Sequence, residues 1–150
     1  MDPGFIVRKV EGADLKEVKA IADARLRETY SEEVLLYFYE EHKQSFFIAT
    51  DGERALGFVL GVPLDNRTMR VLMLAVLEGS SSKGIGRTLL GTIESYAVMR
   101  KMTSVVLEVG VDNEKAIDFY SKLGYKVTSL VPQYYKDKRD AFVMKRFLPM

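Results

Sequence analysis

One stretch of the sequence, residues 71–90, constrains the fold and the ligand of this chain more than any other. An apolar run at 71–76 leads into a polar turn that contains Gly84 and Gly86, and an amphipathic segment begins directly after the turn. This order predicts a strand, a glycine turn and a helix. The first N–H groups of a helix lack partners within it, and the helix dipole is positive at that end. The turn therefore predicts an anion site that fits a phosphate group.

The spacing excludes two common nucleotide loops. A Walker A loop needs Gly-Lys followed by Ser or Thr, whereas Lys83 precedes Gly84 here. A dinucleotide fingerprint needs a third small residue three positions after Gly86, where Leu89 stands. Glycine permits a positive φ and a close approach of the backbone to a ligand, and Lys83 and Arg87 add positive charge. Taken alone, the turn is also compatible with an ordinary strand-to-helix connection.

A second pattern follows further along the chain. Residues 104–109 predict a strand, and residues 113–125 predict a helix that begins at an Asn cap and ends in Leu-Gly-Tyr. The ordered set of strand, glycine turn, helix, strand and capped helix strongly resembles the GNAT superfamily of acetyl-CoA-dependent N-acetyltransferases. Residues 81–86 resemble the pyrophosphate loop of that family. Residues 113–125 resemble its Asn…Ala-Ile…Phe-Tyr…Leu-Gly-Phe motif.

Within the superfamily, the chain is most similar to RimI-type protein N-terminal acetyltransferases. Two features carry this match: Leu107-Glu108-Val109 ahead of the Asn cap, and a Tyr134-Tyr135 pair followed by residues 140–144. The resemblance extends from about residue 46 to residue 144. It implies a GNAT-like α/β fold. The expected core is a mixed, mostly antiparallel sheet of about six to seven strands, splayed at the cofactor site and covered by helices on both faces.

The pattern of apolar residues predicts one domain over residues 1–150, without linkers or repeats. The predicted helices span residues 13–26, 31–41, 84–102 and 113–123, with Asp14 near the first N-cap. The predicted strands span residues 5–10, 46–50, 55–62, 69–76, 103–109, 125–131 and 139–147. The Asp51-Gly52 pair predicts the turn of a hairpin between the second and third strands.

Composition limits the possible functions. The chain has 150 residues, no cysteine and a single histidine, His42, which excludes disulfides and thiol nucleophiles and argues against a metal site or a histidine triad. A net charge of +1 does not favour nucleic-acid binding. No apolar run approaches the ~20 residues of a membrane span, and the start of the chain does not resemble a signal peptide. We therefore expect a cytoplasmic protein without metal, membrane or nucleic-acid partners.

The resemblance implies acetyl-CoA as the co-substrate. The pantetheine arm carries amide groups that can pair with a strand edge, and in GNAT-like proteins that edge is the strand before the glycine turn. Its N–H groups would also polarise the thioester carbonyl. Ser81 stands where the family usually has Arg or Gln, which predicts weaker CoA affinity. The residues expected to hold acetyl-CoA are Leu74, Ala75, Val76, Ser81, Ser82, Lys83, Gly84, Ile85, Gly86, Arg87, Thr88, Asn113, Ala116, Phe119, Tyr120 and Lys122.

Two side chains are candidates for proton transfer. Glu108 lies in an otherwise apolar strand, where burial would make it a stronger base, and the matching Glu of RimI-type proteins is the general base. The alternative is a structural charge at the end of a strand. Tyr120 shares a helical stripe with Ala116 and Ile117, and the resemblance implies that it donates a proton to the departing CoA thiolate. The alternative is a core tyrosine whose hydroxyl finds a partner in the protein.

The acceptor is the least constrained part of the prediction. In related N-terminal acetyltransferases, the first helix–loop–helix and the last hairpin form the walls of a peptide groove. The resemblance then places Glu32, Tyr37, Tyr134 and Tyr135 in that groove. For Glu32, an acidic residue that stabilises the first turn of its helix is the simpler alternative.

Three functions remain open at this point. The chain can be an N-terminal acetyltransferase, an acetyltransferase of a small amine, or an acyl-CoA sensor without catalysis. The oligomeric state, monomer or homodimer, is also open.

Overall fold

The computed structural model describes residues 4–80 and 84–149. Seven strands of this part form one sheet in the order β1-β2-β3-β4-β5-β7-β6. They are β1 (Ile6–Lys9), β2 (Phe46–Thr50), β3 (Ala55–Pro63), β4 (Thr68–Val76), β5 (Ser104–Gly110), β6 (Lys126–Val131) and β7 (Ala141–Phe147). The α-helices are α1 (Leu15–Arg25), α2 (Glu32–Glu41), α3 (Ile85–Met99) and α4 (Glu114–Lys122). Only β4 and β5 are parallel neighbours, so the predicted mostly antiparallel sheet is confirmed.

The sheet separates two apolar clusters, and β2 shows how its pattern builds both of them. Phe46 and Ile48 pack with α1 and α2, whereas the alternating residues Phe47 and Ala49 pack in the cluster that contains α3 and residues of α4. Side chains alternate between the two faces of a strand, so a continuous apolar run fits a strand covered on both sides. Each fully buried aliphatic or aromatic side chain contributes about 1.5–3 kcal/mol. Helices therefore cover both faces, as predicted.

The two halves of the sheet separate at its centre. β4 and β5 pair over only four positions, from Thr68↔Ser104 to Val71↔Leu107. Beyond these positions β4 continues along β3 to Val76, and β5 continues along β7 to Gly110. A wedge-shaped gap therefore opens between the carboxyl ends of two neighbouring strands.

A β-bulge lies at the point where the gap begins. The register between β3 and β4 shifts between Leu60 and Gly61, which leaves Leu72 as the extra residue of β4. The shift reverses the faces of β4: Val71 belongs to the α3 cluster, whereas Met73 belongs to the α1–α2 cluster. A bulge bends its strand and increases the local twist, which fits the divergence of β4 from β5.

Several predicted boundaries need correction. The helix predicted over 84–102 ends at Met99, because Lys101 adopts a left-handed φ of 61° and the Met102 N–H donates to the Ala97 carbonyl. The first helix begins at Leu15, after a 3₁₀ turn (Gly12–Asp14). The remaining ends agree with the predicted ones or differ by one or two residues, which is ordinary for helix and strand termini.

The second predicted helix begins at the expected place. Ser31 is the N-cap of α2, and its hydroxyl accepts from the Val34 N–H at 3.1 Å. None of the described helices is long and apolar enough to cross a membrane. The assignment of residues 1–150 to one domain stays a prediction.

Asp14 connects β1 to the start of α1 through a charged contact. Its carboxylate accepts from Arg8 Nη1 at 2.7 Å, from Arg8 Nη2 at 3.0 Å and from the Glu11 N–H at 2.7 Å. The hydrogen bond from Arg8 is the largest influence, and it holds the pKa of Asp14 below its ordinary value of 3.8 although burial opposes it. Asp14 occupies the N-cap position of α1, in agreement with the sequence prediction, but its side chain makes no cap hydrogen bond to α1 and acts as a structural carboxylate.

Replacing this carboxylate should destabilise the fold in a pH-dependent way. Asp14→Asn should lower the free energy of unfolding at pH 7 by about 1–3 kcal/mol, because it removes hydrogen bonds to a charged group. A lowered pKa stabilises the fold above the ordinary value and loses this contribution as the pH falls through the folded-state value. The difference between wild type and variant should therefore shrink below about pH 4, as measured by urea unfolding at pH 7 and pH 3.

Asp23→Asn is the matched control. The Asp23 carboxylate is 46% exposed and pairs with Lys19 on the surface of α1, so its removal should have little effect at either pH. A deficit of Asp14→Asn that is equally large at pH 3 would contradict the role of the Arg8 pair.

Candidate active site

A cavity of about 530 Å³ opens where β4 and β5 separate. Its walls are the end of α1 and the loop after it, the diverging halves of β4 and β5, the start and inner side of α4, and the loop between β6 and β7. The lining residues are Ala24, Arg25, Leu26, Arg27, Glu28, Tyr30, Val71, Leu72, Met73, Leu74, Ala75, Val76, Leu107, Glu108, Val109, Gly110, Asn113, Ala116, Tyr120, Tyr134 and Tyr135. We call it the central cavity.

A second cavity of about 540 Å³ lies at the N-terminus of α3, and we call it the α3 cavity. It is lined by Arg25, Leu74, Val76, Gly84, Gly86, Arg87, Asn113, Lys115, Ala116, Phe119 and Tyr120. Six of these residues, from Arg25 to Tyr120, also line the central cavity. The two cavities therefore adjoin, and one elongated ligand can extend through both.

The α3 cavity has the features expected of an anion site. Gly84 is the N-cap of α3 and has a left-handed φ of 79°, a conformation that favours glycine. The first N–H groups of α3, at Ile85, Gly86 and Arg87, have no partners within the helix, and the helix dipole adds positive potential there. These features fit the pyrophosphate of acetyl-CoA. The predicted contacts of Ser81, Ser82 and Lys83 lie outside the described residues.

The edge of β4 provides the next part of the site. From Leu72 to Val76 this strand has β3 on one side and no strand on the side that faces β5. Buried backbone N–H and C=O groups require partners, and a ligand that carries amides can supply them. Leu74 and Val76 line both cavities, and Ala75, which is buried, lines the central one. This edge fits the pantetheine arm as the sequence predicted.

Glu108 lies on the β5 side of the gap, and its surroundings differ from the prediction. Arg70 Nε and Nη2 both lie 2.8 Å from Glu108 Oε1, and the Tyr134 hydroxyl donates to the same oxygen at 3.2 Å. Arg70 Nη2 also donates to the Tyr134 hydroxyl at 2.7 Å. The strand around Glu108 is apolar, as the sequence indicates, but the carboxylate itself has polar neighbours that the sequence analysis did not identify. Arg70 pairs with Val106 in the parallel register, which places its side chain close to Glu108.

The polar contacts of Glu108 leave one of its oxygens available. Its side chain is 14% exposed and lines the central cavity. No described residue donates a hydrogen bond to Oε2, whereas Oε1 accepts from both Arg70 and Tyr134. Burial and the neighbouring Glu108 carboxylate raise the pKa of Tyr134 to about 12, so its hydroxyl keeps the proton that it donates. The arrangement fixes the carboxylate through one oxygen and leaves the other free to accept a proton.

Tyr120 lies across the gap on α4, and it lines both cavities. Its ring packs edge-on against the Tyr125 ring, with centroids 5.9 Å apart. The Tyr125 hydroxyl donates to Glu94 Oε2 at 2.7 Å, whereas the Tyr120 hydroxyl has no hydrogen-bond partner among the described residues. Burial raises the pKa of Tyr120 to about 12. Tyr125 is thus the core tyrosine with a satisfied hydroxyl, and Tyr120 keeps a proton available to a ligand.

Other predicted site residues have different locations. Asn113 lines both cavities and caps α4, since its Oδ1 accepts from the Ala116 N–H at 3.2 Å. Phe119 lines the α3 cavity. Lys122 lines neither cavity, is 76% exposed and pairs with Asp118 at the far end of α4. Ile85 is fully buried in the core, and the Thr88 hydroxyl donates to the Gly84 carbonyl at 2.9 Å.

The peptide-groove prediction is only partly reproduced. Tyr134 and Tyr135 line the central cavity, but Glu32 and Tyr37 do not. The buried residue of α2 is Leu35, which leaves Glu32 exposed and Tyr37 57% exposed. Sequence reasoning missed the loop before α2, which brings Arg27, Glu28 and Tyr30 to the cavity, and it missed Arg70 as a partner of Glu108. No periodic pattern marks these residues, because they come from a loop and from a neighbouring strand.

Comparison with known proteins agrees with this geometry. Residues 15–125 match the Acetyltransferase (GNAT) family. This chain belongs to the GNAT family. N-alpha-acetyltransferase 30 of Schizosaccharomyces pombe is 32% identical over an alignment of 132 residues, which covers 85% of this chain and 88% of that protein. The GNAT resemblance predicted from the motifs is therefore confirmed, and the chain is an acyltransferase.

Two solved structures show the same fold. Ard1 from Thermoplasma volcanium superposes with a TM-score of 0.94 at 32% identity, covering 98% of this chain and 99% of that one. The ribosomal-protein-S18-alanine N-acetyltransferase of Escherichia coli has a TM-score of 0.86 at 23% identity, covering 97% and 95% respectively. Acetyl-CoA is the co-substrate of this GNAT acetyltransferase, and the two adjoining cavities fit its elongated shape.

Proposed function

We propose that this GNAT acetyltransferase acetylates the N-terminal α-amine of a protein, with Glu108 as the general base and Tyr120 as the general acid. The observation that carries the proposal is the placement of Glu108 and Tyr120 in the same cavity, on β5 and α4 respectively. The hydrogen bonding of Glu108 suits a proton acceptor, and that of Tyr120 suits a proton donor. Glu108 has a free carboxylate oxygen, and Tyr120 has a proton without an acceptor among the described residues.

The proton transfers follow from these two environments. An amine attacks only when it is neutral, so Glu108 Oε2 accepts a proton from the acceptor amine directly or through water. The neutral amine then attacks the thioester carbonyl: the new C–N bond forms, the C–S bond breaks, and the sulfur takes the proton of the Tyr120 hydroxyl. The nitrogen loses its second proton as the amide forms, and this proton returns to the Tyr120 oxygen through water. The free N–H groups at the edge of β4 supply donors for the carbonyl oxygen on which negative charge develops. Acetyl-CoA itself supplies the activated acetyl group, and no acetylated enzyme is required.

The shape of the cavity mouth supports a peptide acceptor. Tyr134 and Tyr135 pack edge-on with ring centroids 4.9 Å apart and form one wall, and the loop after α1 forms the opposite wall. Aromatic walls with polar tips suit an extended main chain, which offers both apolar contact and hydrogen-bonding groups. The relative from Schizosaccharomyces pombe, named an N-alpha-acetyltransferase, gives independent support. The cytoplasmic location and the oligomeric state stay predictions.

Transfer from acetyl-CoA to paired peptides tests the acceptor. One peptide has a free N-terminus and no lysine, and the other has a blocked N-terminus and one lysine. Mass spectrometry should locate the acetyl group on the free α-amine and leave the lysine peptide unmodified. Acetylation of lysine, or of polyamines and amino acids with neither peptide modified, would contradict the proposal. Acetyl-CoA binding without transfer to any amine would indicate a sensor.

Two substitutions test the roles of base and acid separately. Glu108→Gln should lower kcat by about a hundredfold or more, and the loss should be largest at acidic pH, where the acceptor amine is most protonated. Tyr120→Phe should lower kcat by a similar factor and leave the dissociation constant of CoA nearly unchanged, because the ring and its packing remain. Both quantities are available from steady-state kinetics and calorimetry.

Tyr96→Phe is the matched control for Tyr120→Phe. Tyr96 lies on α3 and lines neither cavity, and among the described residues its hydroxyl accepts only from Arg100, at 3.1 Å, so removal of this hydroxyl should leave kcat unchanged. Wild-type turnover by Tyr120→Phe would remove Tyr120 from the mechanism. A loss in Glu108→Gln that is the same at every pH would assign Glu108 a structural role.

A further inference from the structure

Two loops border the mouth of the central cavity, and one carboxylate binds both of them. They are the loop between α1 and α2 (residues 26–31) and the loop between β6 and β7 (residues 132–140). Asp112, just beyond the end of β5, accepts from Arg27 Nη2 at 3.0 Å through Oδ1 and at 3.2 Å through Oδ2. Arg139 of the second loop donates to Asp112 Oδ2 as well. The two loops also contact each other directly, because the Lys136 N–H donates to Glu28 Oε1 at 2.9 Å.

The ion pair of Arg27 and Asp112 lies at the surface of the protein. The Arg27 side chain is 30% exposed and the Asp112 side chain is 34% exposed. The hydrogen bond from Arg27 is the main cause that lowers the pKa of Asp112 from its ordinary value of 3.8. Arg27 Nη2 lies within hydrogen-bond distance of both carboxylate oxygens, and hydrogen bonds between charged groups are stronger than those between neutral groups. The pair therefore gives the Arg27 guanidinium a defined position.

Gly110 makes room for this pair at the point where β5 ends. A Cβ at residue 110 would lie 2.8 Å from Asp112 Oδ1 and 2.9 Å from Arg27 Nη1, so the ends of these two side chains would have to move. The glycine thus lets the guanidinium approach the strand beside the gap. The requirement here is for space, not for a left-handed backbone.

The Arg27 guanidinium is also connected to Glu108, the candidate base, through two tyrosine side chains. Arg27 Cζ lies 4.6 Å from the centroid of the Tyr135 ring, within the range of a cation–π contact. The Tyr135 ring packs edge-on against Tyr134, at an interplanar angle of 86°. The Tyr134 hydroxyl donates to Glu108 Oε1 at 3.2 Å. A continuous series of contacts therefore leads from Asp112 through Arg27 and the two tyrosines to Glu108.

We propose that Arg27 is a positioning residue for the acceptor, held by Asp112 against Tyr135 so that both walls of the groove are in place before a peptide binds. This inference rests on the proposed function, because it assigns the groove to the acceptor amine. Arg27 acts through Tyr135 and takes no part in proton transfer. Its loss should therefore weaken the use of the peptide more than the chemical step.

Kinetics of Arg27→Met provide the first test, with wild-type protein and the free N-terminal peptide. The KM for the peptide should rise about tenfold, equivalent to about 1.4 kcal/mol, while kcat and the KM for acetyl-CoA stay within about twofold. Arg27→Lys should restore part of the change, because it keeps the charge but loses the two-oxygen contact. Arg54→Met is the control, since Arg54 is 66% exposed on the turn after β2 and should leave all constants unchanged.

Two further variants separate the ion pair from a general loss of structure. Gly110→Ala keeps both charged groups but displaces them, and it should reproduce the rise in peptide KM. Arg27→Met combined with Asp112→Asn should raise the peptide KM by less than the product of the two single effects, because both changes remove the same contact between Arg27 and Asp112. Fully additive effects, an unchanged peptide KM, or a fall in kcat at constant KM would each overturn the proposal.

Amide hydrogen exchange tests the role of Arg27 without any assumption about which amine the enzyme acetylates. In the wild type without substrates, amides of residues 132–140 should exchange more slowly than in Arg27→Met, and the hairpin of β2 and β3 should not change. Equal exchange in the two proteins would overturn the role of Arg27 whatever the enzyme acetylates. Faster exchange in Arg27→Met would support the positioning role of Arg27. If the wild type in addition transferred no acetyl group to any N-terminus, the assignment of the groove to an N-terminal amine would be overturned.

Discussion

The separation of β4 from β5 is the constraint on which the rest of the site depends. Two neighbouring strands share four paired positions and then diverge, each held by another strand on its outer side. The backbone of β4 from Leu72 to Val76 is left with a free edge inside the protein, a situation that proteins otherwise avoid. The bulge at Leu72 permits it without breaking the pairing to β3. A ligand with amide groups resolves the imbalance, and acetyl-CoA is such a ligand.

The same gap assigns different environments to similar side chains. Tyr125 and Tyr120 are five positions apart and in contact, yet Glu94 accepts a hydrogen bond from the first hydroxyl and no described residue accepts one from the second. Glu108 meets a cation on Oε1 and no described donor on Oε2. Removing one member of a partly buried ion pair costs more than the pair itself gains, so Arg70 also protects the fold from an unpaired charge. Chemistry at this site thus depends on which polar atoms are left without partners.

Sequence alone predicted the parts of the protein that local rules determine. The glycine turn, the Asn113 cap and the inward stripe that carries Tyr120 each depend on residues within one helical turn. The partner of Glu108 is 38 positions away and that of Arg27 is 85 positions away, so no local pattern reveals them. The bulge at Leu72 also escaped prediction, because an apolar run fits a regular strand equally well. Glu32 and Tyr37 were assigned to the groove from the family pattern, but α2 buries Leu35 instead.

The backbone of β4 provides the most direct test of whether acetyl-CoA binds along the edge that β5 leaves free. NMR measurement of amide hydrogen exchange, with and without saturating CoA, would follow each residue of this strand. Amides between Leu72 and Val76 should become protected by a larger factor than those of β2, because the pantetheine arm pairs with this edge. Protection that is uniform across the sheet, or confined to regions away from β4 and the start of α3, would contradict this pairing.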